Sequence, residues 1–109
     1  MAFSVTSEIN GSTAVMTLSG SLDATSAPVL MAEVQKAVAE KSQKLVLMVQ
    51  DLEYIASAGL RVLLFAKQKM GSETDIYVIA PQEQIKDTLE RSGFDQAVII
   101  RESFDPAQV

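Results

Sequence analysis

The sequence predicts a single α/β domain with a mixed, mostly parallel β-sheet, which begins with a hairpin and packs against about three to four α-helices. Three observations lead to this prediction. The chain has 109 residues, an ordinary size for one domain. Apolar residues recur with strand and helix periods in alternation along the chain. A composition of 48% hydrophobic and 21% charged residues suits a chain that buries one core without disulfide or metal support.

A β-hairpin is predicted at the N-terminus. Apolar residues fall on one face at period two over residues 3–9, as in a half-buried strand. Asn10-Gly11 follows, and both residues tolerate the positive φ of a tight hairpin turn. Residues 14–19 are predicted as the returning strand. The segment 20–28 is rich in turn-forming and helix-capping residues, so it is expected to be a loop that leads into a helix.

Two helices and one buried strand are predicted in the middle of the chain. Thr25 or Ser26 is expected to cap the first helix, which continues at helical spacing to about Glu40. Residues 45–49 form a continuous apolar run, which is typical of a strand covered on both faces. A second helix is predicted over 57–70, and its inner stripe is expected to contain Leu60, Leu63 and Leu64.

The last third of the chain repeats the same alternation. Residues 76–80 are predicted as a buried strand, a third helix runs from Pro81 to a closing glycine at Gly93, and residues 98–100 form a last short strand. The tail from about residue 102 is expected to be short or frayed. One domain is therefore predicted over residues 1–109.

This order of elements has a consequence for the site. Alternating strands and helices imply right-handed crossovers and parallel pairing, so the loops that leave the strands emerge at one end of the sheet. Sites in open α/β sheets lie at that end. The sequence therefore predicts that Asp23, Ser57 and Pro81 lie near one another.

Composition and charge argue against several classes of partner. The formal net charge is −5, and basic residues are interspersed with acids rather than clustered, so a nucleic-acid partner is not expected. No apolar run is long enough to span a membrane, and the N-terminus does not resemble a secretory signal. The sequence predicts a cytoplasmic protein, monomeric by default.

The residue types of most catalytic sites are missing. The chain contains no histidine and no cysteine, which excludes a Ser-His-Asp triad, a thiolate nucleophile and a Cys- or His-based metal site. Lys67 would lie about 15 Å along the same predicted helix from Ser57, too far to be its base. No glycine-rich phosphate loop surrounds Gly59, and the closest acidic pairs do not resemble a calcium loop. We therefore expect no catalytic residue, no cofactor and no metal.

Ser57 is the most informative residue, because a short acidic turn leads into it just where a helix should begin. One interpretation is an ordinary N-cap that accepts a hydrogen bond from a helix amide. The other is a site for an anion or for phosphorylation. The amides and dipole of a helix N-terminus favour negative charge, and Ala58 and Gly59 would let another molecule approach closely. A phosphate would add about −1.5 to −2 charges at this point.

Three segments resemble a known family, the STAS domains of bacterial anti-sigma factor antagonists. The phosphorylation motif of that family, usually Asp-Ser-Ser/Thr/Ala-Gly-Leu, is similar to Ile55-Ala56-Ser57-Ala58-Gly59-Leu60. The family's loop after the second strand is similar to Gly20-Ser21-Leu22-Asp23-Ala24, and its closing segment to Ser92-Gly93-Phe94-Asp95. Two positions depart from the pattern: Ala56 replaces the usual Asp, and Arg61 stands where Gly is frequent.

The resemblance implies a partner switch without catalysis by this chain. Ser57 would be phosphorylated by an anti-sigma factor that is also a GHKL-type serine kinase, which binds the unphosphorylated form and releases the phosphorylated one. A PP2C-type phosphatase would reset the switch. Asp23 matches an acidic residue that contributes to partner recognition or phosphorylation. The expected partner surface consists of Asp23, Tyr54, Ala56, Ser57, Ala58, Gly59 and Arg61. The alternative is a constitutive STAS adaptor subunit of a transporter or sensory complex, which Ala56 leaves open.

Overall fold

The computed structural model describes residues 2–71 and 73–104. Within these residues five strands, three α-helices and one 3-10 helix follow one another along the chain. Their bounds are β1 Ser4–Asn10, β2 Thr13–Leu22, α1 Ala27–Ala39, β3 Lys44–Ile55, α2 Ser57–Met70, β4 Asp75–Ile79, α3 Glu83–Ser92, the 3-10 helix Phe94–Gln96 and β5 Ile99–Arg101.

The strands form one sheet in the order β1-β2-β3-β4-β5. The β1–β2 pair is an antiparallel hairpin, and every later pair is parallel. Each crossover therefore joins neighbouring strands and advances in the same direction. Right-handed crossovers of this kind place all three helices on one face of the sheet. The predicted α/β fold with a mixed, mostly parallel sheet is confirmed.

One hydrophobic core lies between the sheet and the helices. The inward-facing residues of the three central strands alternate with outward-facing ones, and they meet the inner faces of the helices in a single cluster. Val46 and Ile79 are also buried, but they lie on the opposite face of the sheet, outside this cluster. The helices cover one face of the 45–49 run, and on its other face Val46 is fully buried and Met48 half-buried, so both faces are largely shielded from solvent.

The third strand is longer than predicted, because its side-chain pattern changes after residue 49. Two register shifts interrupt its pairing with β2, one between Thr17 and Ser19 and one between Gly20 and Ser21. Each shift inserts one extra residue into β3, as β-bulges do. Its core-facing positions accordingly change from steps of two to steps of three, as the series Leu45, Leu47, Val49, Leu52 and Ile55 shows.

Helix α2 begins and ends where the sequence predicts, but its inner face differs. The buried residues are Gly59, Val62, Leu63 and Ala66. These positions follow the i, i+3, i+4, i+7 spacing of one helix face. Leu64 was predicted to face the core, and instead 47% of it is exposed. Helix α1 starts at Ala27 with Ser26 at the predicted N-cap position, although the Ser26 side chain makes no capping hydrogen bond, and α3 starts at Glu83, two residues later than expected.

The predicted last strand is shifted by one residue, to Ile99–Arg101. Of the tail predicted to be short or frayed, residues 102–104 contain no helix or strand, and residues 105–109 lie outside the described residues. No helix of the described chain is long and apolar enough to cross a membrane.

Candidate functional site

The tip of the molecule is built where β2 and β3 end side by side. Leu22 and Ile55, the last residues of these strands, are paired in register. One residue further on, the Ala56 N–H donates to the Leu22 carbonyl at 2.8 Å. This bond holds Leu22, which precedes Asp23, beside Ala56, which precedes Ser57. The two sequence-predicted site residues therefore leave neighbouring strand ends at the same edge of the sheet.

Ser57 is the first residue of α2, and it does not cap the helix. The N-cap is Ala56, with φ −90° and ψ 171°, and its carbonyl accepts the first helical bond from the Leu60 N–H at 3.1 Å. The interpretation of Ser57 as the N-cap is therefore wrong, because extended backbone geometry ends one residue earlier. Its side chain is exposed, and its hydroxyl makes no hydrogen bond with the described residues. The amides of the first helical turn have no partner within the helix. The Ser57 hydroxyl is thus free to react or to be bound.

Gly59 faces the interior rather than a partner. A Cβ at this position would lie 2.7 Å from both Cγ and Cδ2 of Leu22, and 3.0 Å from Cγ1 of Ile55. The glycine therefore lets α2 start in close contact with the ends of β2 and β3. The sequence predicted that Gly59 would open the backbone to another molecule. In the structure Gly59 has a different role: it allows the first turn of α2, which carries Ser57, to pack closely on the ends of β2 and β3.

Asp23 organises the turn between β2 and α1. Its Oδ1 accepts hydrogen bonds from the Thr25 hydroxyl at 2.7 Å, the Thr25 N–H at 3.0 Å, and the Ser26 N–H and hydroxyl at 3.1 Å each. The Thr25 hydroxyl, followed by the bonds from Ser26, holds the pKa of Asp23 below its ordinary value. Asp23 is therefore a fixed negative charge at neutral pH, in a rigid turn next to Ser57.

The outer surface of the tip is partly apolar. Ser57, Arg61 and Leu64 are all exposed and lie at i, i+4 and i+7, so they form one stripe along the outside of α2. Tyr54, which is 53% exposed, lies three residues before Ser57, and Val29, which is 51% exposed, lies in the first turns of α1. An exposed phenol and an exposed leucine on either side of a free serine offer a contact surface for another protein.

Pro81 does not reach this tip. Strand β4 pairs with β3 only as far as Met48 and Ile79, so it ends well before Ile55. The start of α3 instead lies beside the middle of β3. There the Gln82 side chain donates to the Gln50 carbonyl at 2.9 Å, and Gln84 donates to the Glu53 carbonyl at 3.2 Å. The predicted grouping of Asp23, Ser57 and Pro81 therefore holds for the first two and is wrong for Pro81.

Sequence reasoning missed Leu64 and Val29 as surface residues. Leu64 was counted with the inner stripe because it follows Leu63 in an apolar run. The spacing of Gly59, Val62, Leu63 and Ala66 would have separated it, since Leu64 falls outside that helix face. The same spacing applies to Val29, since Leu30, Val34 and Ala37 form the inner face of α1 and Val29 falls outside it.

The described residues contain neither a carboxylate cluster for a metal ion nor an imidazole beside the serine. No group of three or more acidic side chains comes together in a way that could hold a metal ion within residues 2–71 and 73–104. With no histidine in the chain, no imidazole can accept the Ser57 proton. These features define a class of protein, a small α/β domain that presents one exposed hydroxyl beside the Asp23 carboxylate at the ends of two neighbouring strands.

The family model of the STAS domain matches residues 4–107. This match covers nearly the whole chain, and the chain therefore belongs to the STAS domain family. No curated protein sequence matches it.

Solved structures of anti-sigma factor antagonists share this fold. One from Mycobacterium paratuberculosis is 25% identical in sequence, with a TM-score of 0.86 over 98% of this chain and 92% of that chain. The Bacillus antagonist SpoIIAA in its unphosphorylated form is 16% identical, with a TM-score of 0.78 over 98% of this chain and 91% of that chain. Its phosphorylated form is also 16% identical, with a TM-score of 0.70 over 98% of this chain and 95% of that chain.

Proposed function

We propose that this chain is an anti-sigma factor antagonist whose binding to its partner is switched by phosphorylation of Ser57. The observation that carries the proposal is the exposed Ser57 hydroxyl at the first position of α2, which makes no hydrogen bond with the described residues. Similar solved structures include an antagonist in its phosphorylated and unphosphorylated forms, which supports a switch of this kind.

The modification is a phosphoryl transfer in which this chain is the acceptor. The Ser57 oxygen would attack the γ-phosphorus of ATP bound to a GHKL-type serine kinase, the bond to the β-phosphate oxygen would break, and ADP would leave. The kinase must supply the base that takes the hydroxyl proton, because the chain contains no histidine. A PP2C-type phosphatase would hydrolyse the phosphoserine and restore the binding form. We expect the chain to act in the cytoplasm, as a monomeric substrate.

The switch follows from the surface that surrounds Ser57. A partner that covers Tyr54 and Leu64 would also cover the Ser57 hydroxyl, since Ser57 lies between them along the chain and on the same α2 stripe as Leu64. Exposed aromatic and leucine side chains supply apolar contact, and Asp23 supplies a fixed charge for orientation. A neutral serine is compatible with such an interface.

Phosphorylation would then act mainly on the interface rather than on the fold. It adds about −1.5 to −2 charges at the hydroxyl that the partner would bury, where the dianion would lose its hydration and face acidic groups of the partner. Like-charge contacts at an interface cost several kcal/mol, so we expect affinity to fall by roughly 10² to 10⁴. The helix dipole stabilises an exposed phosphate by only about 0.3–1 kcal/mol. Loss of the partner should therefore exceed any change in the stability of the domain.

The proposal is tested by mass and by affinity together. Incubation with ATP and the GHKL-type kinase of the same organism should add one phosphoryl group to the wild-type chain and none to Ser57→Ala, as measured by intact mass. Calorimetry should then show that Ser57→Ala binds the kinase as tightly as the unmodified chain, whereas Ser57→Asp binds at least a hundredfold more weakly. Ser12→Ala, at an exposed serine in the β1–β2 turn, is the matched control and should behave as wild type.

The alternative function, a constitutive STAS adaptor of a transporter or sensory complex, is favoured by one residue. Ala56 carries no carboxylate at the position where the family motif usually has Asp. In that case the same tip would bind without modification. The adaptor function requires no added phosphoryl mass and equal affinity of Ser57→Ala and Ser57→Asp for the partner, a result that would contradict the switch.

A further inference from the structure

We propose that a second site, at the end of the molecule opposite Ser57, binds a small phosphate monoester. A cavity of about 380 Å³ opens there, where α1 and α2 end and β3 and β4 begin. It is lined by Lys41, Ser42, Gln43, Lys69, Met70 and Thr74, together with Val38 and Glu73. Helix α2 has 14 residues and separates the cavity from Ser57 by about 20 Å. The cavity is therefore distinct from the Ser57 site, and the proposal of a ligand here does not depend on the proposed phosphorylation switch.

The first indication of a ligand is the Ser42 hydroxyl. Ser42 is only 5% exposed, and its hydroxyl has no hydrogen-bond partner among the described residues. Its backbone N–H is already used, because it donates to the Ala37 carbonyl at 3.1 Å. Buried hydroxyls in native proteins are nearly always paired with protein, water or ligand. Because Ser42 lines the cavity, a polar group that enters it can hydrogen-bond to this hydroxyl.

The second indication is Lys41, which stands in a conformation that lysine rarely adopts. Its φ is +57°, and it ends α1 in a Schellman motif, with Lys41 N–H donating to Val38 and Ser42 N–H to Ala37. Glycine is the usual residue at this position because a Cβ is strained there. A charged residue at a strained position next to a cavity points to a use for its charge.

The charges of the cavity select an anion. Lys41 and Lys69 both line it, and the single ion pair among the described residues joins Lys36 to Glu33, so neither cavity lysine has a described carboxylate within 4.0 Å. A third lysine, Lys67, is already used, because its Nζ donates to the Thr74 carbonyl at 2.6 Å. The charged residues of the lining are these two lysines and Glu73, so the lining carries a net charge of +1 in a chain whose net charge is −5. The Lys69 ammonium lies 5.9 Å from the centroid of the Phe65 ring, one helical turn away, and Lys41 is the lysine without a described partner.

The ends of the two helices oppose an anion less than free helix ends would, because several of their last carbonyls are paired. Gly71 N–H donates to the Lys67 carbonyl at 3.1 Å, and the Thr74 hydroxyl donates to the Met70 carbonyl at 2.6 Å. The α1 carbonyls are paired in the Schellman motif described above. The partial negative charge of a helix C-terminus resides on unpaired carbonyls, so this pairing reduces it.

A phosphate monoester fits these groups better than a bare ion. Lysine binds phosphate as a point charge, and the hydroxyl of Ser42 and the amide of Gln43 can contact phosphate or ester oxygens. Val38 and Met70 add an apolar wall for a small organic body. The cavity volume lies within the range of ligand pockets, roughly 300–1,000 Å³.

The test is an NMR titration of the ¹⁵N-labelled full chain at constant ionic strength, with ribose 5-phosphate, inorganic phosphate and ribose as probes. Amides at Ser42, Gln43 and Thr74 should shift in a saturable manner with ribose 5-phosphate, about tenfold more tightly than with inorganic phosphate, and not with ribose. Equal weak shifts with both phosphates at all surface lysines would show screening only and would overturn the proposal, as would the absence of any shift at the cavity.

The variants separate binding from folding. Lys41→Gly removes a charge and also relieves the strained backbone, so it should fold at least as stably as wild type while its Kd for ribose 5-phosphate rises about tenfold or more. Lys86→Gln, on α3, changes the net charge by the same amount and should leave Kd unchanged. Unchanged binding by Lys41→Gly, or equal loss in Lys86→Gln, would refute the site. Ser57→Ala should bind the probe as wild type does.

Discussion

The close approach of α2 to the ends of β2 and β3 can be tested by Gly59→Ala. In this substitution the new Cβ would lie 2.7 Å from two atoms of Leu22 and 3.0 Å from Ile55, and Leu22 is fully buried. Overpacking of a rigid core typically costs about 1–3 kcal/mol. Replacing a helical glycine by alanine stabilises the helix by up to about 1 kcal/mol, which offsets part of this cost. We therefore expect a net loss of about 1–2 kcal/mol, which lowers Tm by roughly 5–10 °C in a domain of this size.

The assay is thermal and urea unfolding of four proteins: wild type, Gly59→Ala, Leu22→Ala and the double variant. Leu22→Ala alone should cost about 2–5 kcal/mol, because it leaves a cavity. In the double variant the methyl group introduced by Gly59→Ala gains the space that Leu22 leaves, so its total loss should be at least about 0.5 kcal/mol smaller than the sum of the single losses. A Gly59→Ala protein as stable as wild type, or strictly additive losses, would refute the packing argument. Gln68→Ala, at an exposed position of α2, is the control for helix propensity and should change stability by only a few tenths of a kcal/mol.

Two further predictions concern the tip. The pKa of Asp23 is lower in the folded than in the unfolded chain, so its contribution to stability is present above about pH 4 and is lost as pH falls through the lowered folded pKa. Urea unfolding between about pH 3 and 5 should therefore show a shallower pH dependence of the unfolding free energy for Asp23→Asn than for wild type. An unchanged slope would contradict this. If the tip is the docking surface, Tyr54→Ala and Leu64→Ala should each weaken binding of the proposed kinase partner about tenfold or more in calorimetry. Ile9 is an exposed apolar residue on β1, away from the tip, and Ile9→Ala should leave binding unchanged. Equal effects of all three substitutions would argue against a docking surface at the tip.

Much of the fold could be predicted because short-range patterns determine it. The glycine of Asn10-Gly11 marks the hairpin, although the turn itself is Gly11-Ser12, because Asn10 still pairs with Thr13 and only Gly11 has a positive φ. The position of Gly71 just after an apolar helical stripe ends α2 where expected. The extent of β3 could not be predicted from alternation alone, since the strand continues through two bulges with its core residues three apart. Leu52 and Ile55 carry this signal in the sequence, but a period of three is also compatible with the start of a helix.

The candidate site was predictable in part for a similar reason. Asp23 and Ser57 follow strands that are neighbours in the sheet, so topology alone brings them to one edge. Pro81 also follows a strand, but β4 is short and β3 is long, and strand lengths cannot be derived from the order of elements. The inward orientation of Gly59 depends on its contact with Leu22, far earlier in the chain, which no local pattern reveals.

Because β3 is longer than β4, the tip has fewer backbone hydrogen bonds between strands than the middle of the sheet. Beyond Met48 the third strand has a backbone ladder on one side only, with β2, while Gln82 and Gln84 side chains contact two carbonyls on the other side. A two-stranded ribbon with bulges separates more readily than the middle of a five-stranded sheet. The ribbon end is nevertheless fixed from the helix side, because Leu22, Leu52 and Ile55 belong to the core and α2 packs on Leu22 and Ile55 at Gly59. The two strand ends and the first turn of α2 therefore form one packed unit that carries Ser57.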